Sequence, residues 1–279
     1  MTFETFAASR YSLVQLADLL NAGYENYAIP VAFDAAAIGR RIIAEHIDLG
    51  ASHVLVSGEE PCGVMLVARR GATSRLAALG IALSRRGQGL GRQAVALAQA
   101  EAAARGDSLM TLEVITTNLA ALRTYAACGF TVTRQLVGYE CAPVTPAPLG
   151  DEYELCSAEA VLPLLSRAMP AGLSWQIAPA ALAGVLAPAS GLRRRDGRAA
   201  ALFDASGPAP RLLSFGVAPE AQRKGLGSAL LGALVQTSPG PWRISALVPE
   251  TLVDGFLTGR GWQRSALAQF EMTWSPSAA

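Results

Sequence analysis

Two short stretches of the chain carry the same residue types at the same spacing. Arg86-Gly87-Gln88-Gly89-Leu90-Gly91 and Gln222-Arg223-Lys224-Gly225-Leu226-Gly227 both read Gln/Arg-x-x-Gly-x-Gly. Each follows an apolar, strand-like run and opens an Ala/Leu-rich helical run. Glycines let a main chain approach a ligand closely, and the unpaired N–H groups and dipole of a helix N-terminus favour negative charge. A strand, a glycine loop and a helix in that order therefore suit a phosphate or pyrophosphate, and the repetition suggests two copies of one such domain. Neither copy is a Walker A loop: Gly91 is followed by Arg92, and Lys224 precedes its glycines rather than following them. A dinucleotide fingerprint is also disfavoured, because Gly87-x-Gly89-x-Gly91 has the wrong spacing and both loops lie late in their halves.

The elements that must hold these loops repeat as well. In the first half, a strand over 3–8 precedes helices over 13–21 and 35–46, with Ser12 and Asp34 as N-caps. Strands over 53–57 and 62–68 form a hairpin, and a strand over 76–82 delivers the chain to the first loop. A helix over 90–105 ends at Gly106. A strand over 109–115, a helix over 119–128 and a final strand pair over 131–139 follow. The second half repeats this order in compressed form. A strand over 153–156 leads to a proline-punctuated helical region through Ala187 and a hairpin over 192–195 and 199–203. Then come the strand 211–217, the loop, a helix over 225–235, a strand over 242–248, a helix over 252–260 and last strands over 264–274. Loop glycine to terminal Gly-aromatic pair spans 38 residues from Gly91 to Gly129 and 34 from Gly227 to Gly261. The three prolines between Cys141 and Gly150 stiffen a linker, which sets expected domains at 1–141 and 151–279.

A length of 279 residues with 51% hydrophobic and 16% charged residues accommodates two cores. The net charge of +1 gives no electrostatic case for nucleic acid or an acidic membrane surface. Arg193-Arg194-Arg195 reads as a solvated strand edge. Cys62, Cys128, Cys141 and Cys156 have no paired spacing and read as reduced thiols, and His46 and His53 supply no usual zinc set, so no metal is expected. With no signal peptide or apolar span in view, the expectation is a cytoplasmic protein.

The sequence from Leu112 to Phe130, LEVITTNLAALRTYAACGF, adds Leu-x-Val, Asn-x-x-Ala, Tyr and Gly-Phe in order after the first loop. Together with the loop, this resembles the GNAT superfamily of acetyl-CoA-dependent N-acetyltransferases. The resemblance spans nearly the whole first half and, in the second, mainly Leu212 onward. It implies an α/β (α+β) fold of two tandem GNAT-type domains, each a mixed, mostly antiparallel twisted sheet flanked by helices. It further implies acetyl transfer to a primary amine of a small molecule or peptide by direct attack in a ternary complex.

By the resemblance, Arg86, Gly87, Gln88, Gly89, Leu90, Gly91 and Arg92 hold the CoA pyrophosphate, with Arg86 and Arg92 either adding charge or remaining solvated. Gly80, Ile81 and Ala82 would pair with pantetheine and polarise the thioester. Tyr125 occupies the family's general-acid position, the alternative being a core tyrosine with its hydroxyl at the surface. Asn118 is an N-cap that also touches the cofactor. Glu113 is either the base, direct or through water, or a solvated strand residue. Tyr24, Tyr27, Asp48 and Ser52 fall in the segment that walls the acceptor site; Tyr24 and Tyr27 are taken as substrate contacts.

In the second half Val217, Gln222, Arg223, Lys224, Gly225, Leu226, Gly227 and Ser228 form the equivalent cofactor loop. Alignment of Gly261-Trp262 with Gly129-Phe130 sets Leu257 against Tyr125, Glu250 against Asn118 and Ser245 against Glu113. The first domain is therefore expected to be catalytic. The second would bind acyl-CoA without transfer, or work without an acid. Two other readings stay open: a sensor or scaffold without turnover, and catalysis in the second domain. A fused pair can act as a monomer (a pseudo-dimer) or as a homodimer.

Overall fold

Alternation in β-strands and a 3.6-residue period in helices decide which side chains are buried here. The computed structural model describes residues 3–276 apart from 186, 187 and 208. The chain divides into two units, one of residues 1–134 with 269–279, the other of residues 135–268.

The first unit runs β1 (Glu4–Ala7), α1 (Leu13–Gly23), α2 (Ala35–Glu45), β2 (His53–Ser57), β3 (Glu60–Arg70), β4 (Thr73–Ile81), α3 (Leu90–Arg105), β5 (Leu109–Ile115) and α4 (Leu119–Ala127). Both expected caps form. Ser12 and Gln15 make a reciprocal capping box on α1, and the Asp34 carboxylate accepts the Ala37 N–H on α2 at 2.6 Å. Gly106 ends α3 in the left-handed region at φ 83°. Strands β1 to β4 pair antiparallel in sequence order. β4 and β5 pair in parallel only over Thr73–Arg75 and Leu109–Thr111. α3 lays Leu90, Ala94, Val95 and Ala98 over a sheet face carrying Leu55, Met65, Met110, Leu112 and Val114.

β6 (Thr131–Cys141) is one strand rather than the expected pair, because Gly138 stays in the ladder with β11, between the pairs Val137–Val248 and Tyr139–Ile244. It starts in the first unit and continues into the second. There follow β7 (Tyr153–Ser157), α5 (Leu162–Ala168), α6 (Pro179–Leu182), β8 (Ser190–Arg194), β9 (Ala199–Asp204), β10 (Arg211–Val217), α7 (Leu226–Val235), β11 (Trp242–Pro249), α8 (Glu250–Thr258) and β12 (Trp262–Trp274). Of the helical region expected through Ala187, residues 186 and 187 lie outside the described residues. In the second unit β7 to β10 pair antiparallel in order, β10 meets β11 in parallel, and β11 meets β6 antiparallel. Leu230, Leu231 and Leu234 of α7 pack with Leu192, Phe203, Trp242 and Trp262. Arg193 and Arg195 pair with Glu154 across the β7–β8 edge, as solvated strand-edge charges do.

β12 is a single 13-residue strand. Its residues Gln269–Trp274 belong to the first unit, antiparallel to Ile115–Met110 of β5. The units are thus not the contiguous spans 1–141 and 151–279, and the proline segment lies inside the second. The reason is pairing: β5 needs a partner on its open edge, and the last six residues of β12 supply it.

Candidate functional site

The first glycine loop takes the backbone shape its composition suggests. Gly87 and Gly89 sit at φ 75° and 80°, where a side chain would be strained. Gly89 is the N-cap of α3, and the first helical bond runs from the Gln93 N–H to its carbonyl at 3.1 Å. The N–H groups of Leu90, Gly91 and Arg92 therefore lie outside the helix's own ladder. Of the loop side chains, Arg86 is turned inward: it donates to the carbonyls of Ile81 (3.0 Å), Gly23 (3.0 Å) and Glu25 (2.9 Å). Gln88 donates to Ser84 O. What the loop offers an anion is its backbone, with Arg92 exposed beside it.

A cleft of about 770 Å³ opens beside this loop, within the range of small-molecule sites. It exists because β4 and β5 stop pairing after Arg75 and Thr111 and splay apart. A bulge at Ala77, between the pairs Ala78–Leu66 and Leu76–Val67, bends β4 at that point. The β4 wall is Leu76–Leu79 with Ile81. Gly80 instead meets Gly23 of α1 backbone to backbone, and a Cβ on Gly23 would stand 2.5 Å from the Gly80 Cα. The Ala82 N–H is spent on Cys62 O at 2.9 Å. Of the three residues expected along pantetheine, only Ile81 lines the cleft.

Three phenols converge on the opposite side. Tyr24 and Tyr27 meet edge to face at 4.8 Å, Tyr125 packs on Phe130 at 6.1 Å, and all three tyrosines line the cleft. Tyr27 hydrogen-bonds the side chain of Asn118, whose Oδ1 also accepts the Ala121 N–H at 3.1 Å as the cap of α4. Burial, with Tyr27 beside it, pushes the Tyr24 phenol up to about 12. Burial and the neighbouring Tyr24 and Tyr27 raise Tyr125 as well, so it stays protonated through the neutral range. Asp48 and Ser52 are not brought here. Asp48 accepts from Gly50 and Ala51 and pairs with Arg69, and Ser52 bonds Asp48 O and the Val67 N–H.

Glu113 lines the cleft from β5, with its side chain only 3% exposed. It is not a solvated strand residue. Its Oε2 accepts from Arg75 at 2.6 Å, while Oε1 is buried without a hydrogen-bond partner. Burial raises its pKa against the pull of Arg75, and Glu271 and Glu45 add to the rise. Arg75 also donates to Glu45 at 2.7 Å, and Glu45 accepts from Arg41 at 2.7 Å. Burial alone would raise Glu45, but Arg41 and Arg75 bring it down to about 2. Sequence reading missed Arg75, Glu45 and Arg41; the available signal was an arginine set directly before the apolar run Leu76-Ala-Ala-Leu.

The second unit repeats the scaffold. Arg223 and Gly225 take φ 63° and 80°, and Gly225 caps α7 with the Ala229 N–H on its carbonyl. Gln222 and Lys224 turn onto Val217 O and Glu220 O, as Arg86 and Gln88 do in the first loop. A register shift between Leu212 and Ser214 bulges β10, and β10 meets β11 at a single described pair, Arg211–Arg243. The cleft there is about 840 Å³, but its walls differ. Phe215 stacks on Phe256 at 5.8 Å, Arg260 sits 3.9 Å over the Phe256 ring, and its Nε donates to Ser228 Oγ at 2.6 Å. Leu257 is fully buried. Among the described residues no group of His, Cys, Asp and Glu could hold a metal ion, and no helix is long and apolar enough to cross a membrane.

Residues 15–130, which contain this first loop and cleft, match the model of the Acetyltransferase (GNAT) family. That match lies wholly in the first half of the chain. The fold is the tandem GNAT arrangement of mostly antiparallel sheets with helices. A tandem GNAT protein from the clavulanic acid biosynthesis pathway superposes at TM-score 0.68 with 14% identity, covering 100% of this chain and 99% of that one. A GCN5-related N-acetyltransferase from Sphaerobacter thermophilus does so at 0.67 and 14%, covering 98% and 95%. One from Anabaena variabilis gives 0.62 and 14%, covering 98% of this chain and 72% of the other. At such identities the likeness is one of fold. No curated protein matches in sequence.

Proposed function

We propose that the first cleft transfers an acetyl group from acetyl-CoA to a primary amine of a small molecule or peptide. The pyrophosphate is held by the N–H groups of Leu90, Gly91 and Arg92, and the thioester enters between the splayed β4 and β5. Glu113 Oε1 takes a proton from the acceptor's ammonium. The freed amine nitrogen attacks the thioester carbonyl, the C–N bond forms and the C–S bond breaks. The phenol of Tyr125 gives its proton to the departing thiolate, the new amide nitrogen returns a proton to the phenolate, and Glu113 releases its own to solvent, leaving a neutral amide and CoA thiol. Proton donation of this kind, from a group kept neutral by burial, is general acid catalysis. One observation carries the reading: a buried carboxylate with a free oxygen and a protonated phenol line the same cleft as the glycine loop.

The second cleft has an intact loop but Leu257 and Ser245 where the first has Tyr125 and Glu113. A domain that binds acyl-CoA without transferring by this route fits those residues.

Amine-dependent release of thiol from acetyl-CoA tests the main reading, across alkyl amines, aromatic amines, aminoglycosides and dipeptides. Glu113→Gln should lower kcat/KM for any accepted amine by about 100-fold or more, the range for losing a general base. Full activity in that variant would remove Glu113 from the reaction.

A further inference from the structure

The mechanism above uses one oxygen of Glu113 and leaves open what aims it. Arg75, Glu271 and Glu45 act on that carboxylate, and Arg41 and Arg134 hold the two glutamates. Arg75 on β4 donates to Glu113 Oε2 and, through Nη1, to Glu45 Oε2. On α2, Arg41 holds Glu45 by both carboxylate oxygens and also donates to the bulge carbonyl of Ala77 at 3.2 Å. Glu271 on β12 stands directly opposite Glu113 in the antiparallel register and is itself paired with Arg134 at 2.5 Å. Tyr125 on α4 completes the surroundings on the cleft side.

Arg75 is 3% exposed and shared between two carboxylates. Ion pairs this deep cost desolvation and are poor devices for stability alone, so the arrangement asks for another reason. Its geometry supplies one: the planar guanidinium fork fixes Oε2 and leaves Oε1 as the one unpartnered carboxylate oxygen at the cleft wall.

We infer that Arg75 is a positioning residue, which clamps Glu113 so that its free Oε1 faces the acceptor nitrogen, and that Glu45 tunes the clamp by competing for the same guanidinium. This rests on Glu113 being the base. The second unit shows the contrast. The matching strand position is Arg211, which has Ser245 rather than a carboxylate across the splay; it pairs with Asp204 of the neighbouring strand at 2.6 Å and is 54% exposed.

The two neighbours should move Glu113 in opposite directions, and only a carboxylate that works as the base should carry the acid limb of kcat/KM with it. The experiment is a carboxyl-carbon NMR titration of the full chain labelled at glutamate, with the Glu113 signal assigned by its loss in Glu113→Gln. Glu45→Gln removes a competitor and a repelling charge, so the Glu113 midpoint should fall by roughly one pH unit, the scale of one close charge. Arg75→Gln added to Glu45→Gln should then raise it by at least as much. That pair leaves Glu271 on its own Arg134 and Glu113 free to take up a proton, so neither remaining buried carboxylate must carry an unpaired charge. Arg75→Lys in the same background should restore most of the fall, since lysine then serves a single partner. A midpoint that stays put, or moves the same way in both, overturns the clamp. The acid limb of kcat/KM should follow the midpoint, measured with the fastest of phenethylamine, cadaverine and a dipeptide. A midpoint that moves while the limb does not would overturn Glu113 as the base, and the proposal with it.

Discussion

The two units share a scaffold almost position for position and part company at its walls. Both loops place two residues at positive φ, both turn their Gln/Arg side chain back onto the end of the preceding strand, and both strands bulge at the matching residue. What differs is what faces the opening. The first cleft carries Tyr24, Tyr27, Tyr125 and Glu113, and the second a Phe215–Phe256 stack with Leu252, Val253 and Leu257. The anion cradle is a property of backbone, so it tolerates wide change in side chains. Acid–base chemistry is a property of single side chains and vanishes with one substitution.

The widest gap between the clefts should appear when each cradle is blocked in turn. Gly89→Glu adds a strained side chain and a negative charge where the pyrophosphate would lie, and amine-dependent thiol release should fall to background. Gly225→Glu should leave it within about twofold, because the second loop belongs to a separate unit with its own core. The opposite pattern would make the second unit the working one.

Tyr125→Phe comes next. It should lower kcat by about ten- to a hundredfold with little change in acetyl-CoA affinity by calorimetry. In the wild type, a phenol held above the ordinary value of about 10 remains an acid as pH rises, so its ionisation should not depress kcat below about pH 10. A basic limb near neutrality that Tyr125→Phe abolishes would show the phenol to be tuned the other way.

Much of this was legible beforehand, and the residues show why. Gly89 and Gly225 signal their loops through local backbone chemistry, which sequence records directly. Ser12, Asp34 and Gly106 mark helix ends for the same reason. The clamp was hidden, because Arg75 lies 30 residues from Glu45 and 38 from Glu113, and only the sheet joins them. Arg86 was misleading: an arginine beside a phosphate loop suggests charge, whereas three carbonyls at the junction of α1 and β4 claim its donors. The partner of β5 was equally hidden, since an alternating strand such as β12 does not state which edge it will cover.

Leu257→Tyr should sharpen the contrast without creating a second active site. The residue is fully buried, so the larger ring should destabilise the fold by about 1–3 kcal/mol and lower Tm, with no thiol release recovered in a Tyr125→Phe background. Recovery would mean that the second cleft lacks only its acid. The smallest effect belongs to Asn118→Ala, which removes a helix cap worth about 1 kcal/mol and the partner of Tyr27. Thermal melting should register it while turnover drops only a few-fold.

The path of β12 sets an order of events during synthesis. The chain leaves the first unit at Arg134 and returns at Gln269, so the half begun first is finished last. Until Gln269–Trp274 has been made, β5 has an open edge, Arg134 lacks Glu271, and Glu113 lacks the strand that faces it. Domains usually fold in the order in which they emerge. Here the second unit can close first, and Glu113 gains its full surroundings only with β12. A chain cut short before that strand would keep its first glycine loop while the β5 edge beside Glu113 stayed open.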